Sequence, residues 1–167
     1  MAALPDTPEF RLTKLTPSLK GNTPEDIAVV LAFMERHGPN RQHYVCGHHW
    51  DHTPLSFAVA TESPVEMLTA ILDAGADPNA YACMAYTWDR PAVRGGPVLM
   101  YAPLHYAAMT NNIEFATLLL NYGATPDLPC CPSVETRTAL DIAMSDEMRE
   151  LIQSYESPMA VPCAEAP

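Results

Sequence analysis

Residues 44 to 52, Tyr-Val-Cys-Gly-His-His-Trp-Asp-His, crowd Cys46, His48, His49, Asp51 and His52 into one short run. Thiols, imidazoles and carboxylates bind zinc and move protons, so this run is the first place to look for chemistry. As a metal site it is incomplete. The spacing Cys-x-His-His-x-x-His matches no closed zinc pattern, and no Cys-x-x-Cys pair supports it. Cys83 or Cys130 has the chemistry to add a ligand, but adjacent His48 and His49 cannot easily aim at one ion from a regular strand. No metal and no cofactor is expected. His52 directly precedes a helix start and reads as structural before it reads as a ligand.

A second concentration lies between residues 81 and 101. It holds Tyr86, Trp88, Asp89, Arg90, Arg94 and Tyr101 around a Gly-Gly-Pro turn. Trp, Tyr and Arg are the residue types that anchor protein interfaces. His48, His49, Trp50, Tyr86, Trp88, Arg90, Arg94 and Tyr101 are therefore the candidate binding residues. Asp51, His52 and Asp89 are the candidate catalytic set if the chain is an enzyme, working as acid and base under the insert. The chain has no nucleophile elbow, no phosphate-cradling glycine loop and no zinc-protease helix. Cys130 and Cys131 are adjacent, a spacing that rarely permits a strain-free bridge, and read as idle thiols.

These clusters must be carried by a body. The 167 residues suit one domain, with 48% apolar and 17% charged residues giving a globular composition. Twenty acidic residues against nine Lys and Arg leave a formal charge of -11. That balance argues against nucleic acid and against an anionic membrane surface as partners. Five Cys, an odd number without a regular framework, suit reduced thiols. The opening residues lack a basic and apolar leader, and no run is long enough to span a bilayer. The expected setting is intracellular, cytoplasmic or nuclear.

Three segments line up with one another: "TPLSFAVATESPVEMLTAILDAGADPNA" from Thr53, "APLHYAAMTNNIEFATLLLNYGATPD" from Ala102, and "TALDIAMSDEMRELIQSY" from Thr138. In the first, Thr53 can cap a helix and Pro54 suits its first position. Leu55, Ala58 and Val59 then share one face; Val65, Leu68, Ile71 and Leu72 share the face of a second helix, which Gly75 ends. Leu104, Ala107 and Ala108, then Ile113, Ala116, Leu119 and Leu120, repeat the scheme, with Asn111 at a left-handed turn and Gly123 as stop. Thr23, Pro24 and Asp26 begin another helix, whose stripe is Ile27, Val30, Leu31 and Met34. Met67, Met84, Met100, Met109 and Met144 are expected to fill gaps in the core.

The segments resemble ankyrin repeats, whose signature Thr-Pro-Leu-His-x-Ala appears here as "TPLSFA", "APLHYA" and "TALDIA". The resemblance covers residues 23 to 155 and implies an all-α solenoid of stacked helix-turn-helix units with extended finger loops. Helix pairs are expected near 53–75, 102–123 and 138–155, with an insert at 81–101. Residues 1–22 form an N-terminal arm and degenerate cap, 23–155 the repeat domain, and 156–167 a tail; 1–16 and 156–167 are the loose ends. The resemblance also implies that His105, at the signature position, bonds to neighbouring backbone.

Copies begin 49 and 36 residues apart against a period of about 33, so the excess length belongs to the loops. In a stack, equivalent loops emerge side by side. Residues 39–52, 81–101 and 124–137 should therefore be neighbours. The expected function is recognition of a protein partner through the concave face and the His- and Trp-rich loops. The alternative is a small-molecule enzyme, an acid–base isomerase or cyclase in biosynthesis, with its pocket under the insert. Oligomeric state is not legible.

Overall fold

In the computed structural model, residues 12–45, 50–84, 99–130 and 137–155 are described. A 3-10 turn at Leu12–Leu15 leads into four helix pairs: α1 (Thr16–Leu19) with α2 (Pro24–His37), α3 (Pro54–Ala60) with α4 (Val65–Asp73), α5 (Pro103–Met109) with α6 (Ile113–Asn121), and α7 (Ala139–Ile142) with α8 (Asp146–Ser154). Helices α3, α5 and α7 pack side by side as one layer, and α2, α4, α6 and α8 as the other. The helical solenoid read from the repeats is the body of the protein.

Local chemistry accounts for the helix ends. The Thr53 hydroxyl accepts the Ser56 amide at 3.1 Å, Asn112 Oδ1 the Phe115 amide at 3.0 Å, and Ser145 Oγ the Met148 amide at 3.1 Å. Each supplies an acceptor to an amide that has no partner inside its own helix. Thr23 and Asp26 form a reciprocal capping box. At the far ends, Gly75 and Gly123 take φ of 87° and 88°. The turn lets the Ala76 amide reach back to Ile71 O and the Ala124 amide to Leu119 O.

The buried core runs through the whole stack and includes Leu55, Leu68, Ile71, Leu104, Leu119, Met148 and Ile152. Leu15 and Leu19 belong to it too. Residues 12–19, assigned by the sequence pattern to an arm and cap, thus supply the first helix of the leading pair. The methionines divide: Met67 is fully buried, whereas Met109 and Met144 are 41% and 71% exposed. The expectation that these last two fill the core is corrected, because α5 ends at Met109 and α7 stops at Ile142, leaving both side chains on turn tips.

The loops add a small sheet to the helical body. Strands β1 (His43–Val45), β2 (Trp50–His52), β3 (Ala82–Met84) and β4 (Leu99–Tyr101) pair antiparallel in chain order. Two fingers from adjacent repeats are joined where β2 meets β3, with Trp50 opposite Met84 and Asp51 opposite Cys83. Stacking brings their backbones into register, and pairing satisfies amide and carbonyl groups that the helices cannot. Among the described residues no helix is long and apolar enough to cross a membrane.

Candidate functional site

Three loops meet at the finger edge through one chain of hydrogen bonds. Gln42 Nε2 donates to Tyr81 O at 2.7 Å, and the Tyr81 hydroxyl donates to Pro129 O at 2.6 Å. Residues 42, 81 and 129 come from the first, second and third loops, so the expected neighbourhood is present. The third loop is closed by Cys130 N donating to Arg137 O at 2.7 Å.

Of the candidate residues, His48, His49, Tyr86, Trp88, Asp89, Arg90 and Arg94 lie outside the described residues, as does Cys46. Trp50 and Asp51 sit on β2, in register with Val45 and Met84, and with Tyr44 and Cys83, respectively. Among the described residues no group of three or more His, Cys, Asp or Glu is gathered as a metal site.

His52, read from the sequence as structural first and as catalytic only in an enzyme, and Tyr101, read as a binding residue, are both buried. His52 is 1% exposed and Tyr101 7%. His52 stacks near Phe57 (5.6 Å between ring centres) and Tyr106 (5.9 Å). Tyr101 lies 5.8 Å from His105 and 5.9 Å from Tyr106. Both are the last residues of their strands, and a helix start follows each. Burial lowers the His52 pKa to about 4, so the ring is neutral at neutral pH. Its Nδ1 lies 3.1 Å from Ser56 Oγ, and the Ser56 hydroxyl lies 3.1 Å from Thr53 O. A serine–histidine contact is the beginning of a nucleophilic pair. Here both members are buried.

Phe57 and Tyr106 occupy equivalent places in their copies, and both are buried.

The ankyrin-repeat family model matches residues 101–130, from the end of β4 to Cys130. Among solved structures, the ankyrin repeat domain of Bcl-3, described as a unique member of the IkappaB protein family, is similar with a TM-score of 0.56 at 21% sequence identity, covering 83% of this chain. This is an ankyrin-repeat fold. The chain spans half the length of that solved structure. No curated protein matches it.

Ankyrin architecture explains the three residues at the signature histidine position. His105 Nδ1 accepts the Ala102 amide at 3.2 Å, and Nε2 donates to Leu128 O at 3.0 Å in the next loop. Its pKa is lowered by burial, against which the two backbone bonds push the other way. Asp141 reproduces the first half, accepting from the Thr138 amide at 2.7 Å and hydroxyl at 3.0 Å. A carboxylate cannot donate onward as the His105 ring does. In the first copy Ser56 holds the position, and the imidazole comes instead from His52.

Asn40 and Asn79 are ordering residues that the sequence pattern did not reveal. Asn79 Oδ1 accepts the Thr125 amide at 2.8 Å while Nδ2 donates to Gly123 O at 3.0 Å. Asn40 does the same to Asp77 at 2.7 Å and Gly75 at 3.5 Å. The dipeptide Pro-Asn, at 39–40 and 78–79, was the available signal.

Proposed function

We propose that this chain is a recognition module for a protein partner and that its finger edge is the binding edge. What supports the reading is the tie from Gln42 through Tyr81 to Pro129, which sets the three lengthened loops against one another. Trp50, on β2, belongs to that edge, and the insert that leaves β3 and returns at β4 carries Tyr86, Trp88, Arg90 and Arg94. Aromatic and arginine anchors contribute most of the affinity when they enter a desolvated pocket on the partner. Strands β3 and β4, from which the insert leaves and to which it returns, are paired in the sheet, and a fixed stem lowers the ordering cost of binding. The concave face beside the loops belongs to the same proposed binding surface.

The test begins with profiling the proteins and small molecules that the purified chain retains from cell extract. A stoichiometric protein is then titrated against Trp50→Ala, Trp88→Ala and Arg90→Ala, with Val29→Glu on α2 as the remote control. The expected result is at least a tenfold loss for the loop variants and none for the control. A chemically altered metabolite in place of a protein, or loss with the control alone, overturns the reading.

A further inference from the structure

A second surface lies away from the fingers, along the tips where each inner helix turns into its outer helix. Two of the exposed large apolar side chains of the described residues sit there: Met144 at 71% and Met109 at 41%. Their tips are joined, since the Ser145 hydroxyl donates to Asn111 Oδ1 at 2.6 Å. Methionine is unbranched and polarizable, and adapts to partners of different shape.

The charges along this edge are mostly acidic. Glu66, Glu114 and Glu147 each lie in the first turn of an outer helix, and all three are exposed. Glu62 stands on the first tip and is exposed as well. Among the residues inside the helices α3, α4, α5, α6, α7 and α8 the sole Lys or Arg is Arg149, and it is occupied by Asp146 at 2.9 Å and Ala143 O at 2.9 Å. Acidic residues at helix starts favour the helix dipole. That accounts for Glu66, Glu114 and Glu147 singly, but neither for Glu62 nor for the methionines beside them.

We propose that this edge docks an extended basic segment of another protein, with apolar side chains on the methionines and Lys or Arg on the glutamates. Packed helices lie about 8–10 Å apart, which sets the pitch of the glutamate row. An extended or polyproline-type chain advances about 3.1–3.4 Å per residue, so basic residues at every third position fall on that pitch. A second copy of this chain brings the same carboxylates and is repelled, as are nucleic acid and anionic lipid. The inference goes beyond the finger-edge reading and uses a different surface.

The probe is a fluorescent peptide of four Arg-Pro-Leu repeats, titrated into the full chain by anisotropy at low and physiological salt. Arg-Pro-Ser and Glu-Pro-Leu repeats are the comparisons. Arg-Pro-Leu binding is expected to weaken about tenfold or more in Met109→Ser/Met144→Ser and in Glu66→Gln/Glu114→Gln/Glu147→Gln, roughly a hot-spot's worth. The glutamine variant should also flatten the salt dependence, and Val29→Ser on α2 should bind like the parent. Circular dichroism confirms that each variant is folded. The proposal is overturned if no binding occurs, if Arg-Pro-Ser binds equally well, or if the edge variants bind unchanged. It is also overturned if sedimentation shows self-association that the serine variant abolishes, which would make the occupant a second copy.

Discussion

His52 Nδ1 stands 3.1 Å from Ser56 Oγ, between the first ankyrin copy and Tyr106 of the next. The ring is held neutral there by burial, with a pKa near 4 against 6.5 in a free chain. Below pH 6.5 the unfolded chain therefore binds a proton that the folded one refuses. Stability contributed by the neutral ring is intact above that pH and falls as pH drops to about 4. At about 1.4 kcal/mol per unit the loss is about 3 kcal/mol. Urea melts of the parent and of His52→Gln at pH 7, 6, 5 and 4.5 should show the variant losing distinctly less. Parallel curves would show that the ring is protonated in the fold. His105, lowered in the same direction, adds to the slope of both proteins.

Glu62 and Asn111 share a φ of 54° at equivalent turns, yet they should respond oppositely to glycine. Glutamate has no local bond that eases the left-handed region, so Glu62→Gly should stabilise by about 0.5–1 kcal/mol. Asparagine tolerates that region, and Asn111 also accepts the Ser145 hydroxyl. Asn111→Gly should therefore be destabilising. Thermal denaturation of the two variants decides it, and a shared sign would refute the distinction.

Asn79→Ala should cost about 1–2 kcal/mol by releasing one amide and one carbonyl between repeats. Asn40→Ala should cost less, since its contact to Gly75 O is 3.5 Å. Hydrogen exchange gives a local reading. The Thr125 amide should exchange faster in the first variant and the Asp77 amide in the second, not the reverse.

Leu119 is fully buried on α6 in the middle of the stack. Leu119→Ala should lower stability by about 2–5 kcal/mol through lost burial and the cavity left behind. Thr53→Ala, which removes a helix cap, should lower it by about 0.5–2 kcal/mol. Chemical denaturation should rank them in that order; a loss under 1 kcal/mol for Leu119→Ala would mean that the core closes around the gap.

The helices, their caps and the glycine stops were legible in the sequence because their determinants are three or four residues apart. Thr53 with Ser56 and Gly75 after Leu72 work within one turn, whatever lies beyond. The signature at Thr53, Ala102 and Thr138 carried the stacking for the same reason, being local chemistry repeated. Other features were decided only when repeats met. The Gln42–Tyr81–Pro129 chain and the β2–β3 register join residues far apart in the chain, and depend on how one repeat is offset from the next. Asn40 was obscured because Gly38 and Asn40 are two apart, while Gly75 and Asn79 are four apart, so only the shared Pro-Asn dipeptide marks the equivalence along the chain. His52 reads as structural from its place before a helix start, but its burial was not fixed there: a strand residue next to a helix start is buried or exposed according to the neighbour that covers it, and one such neighbour, Tyr106, comes from the following repeat.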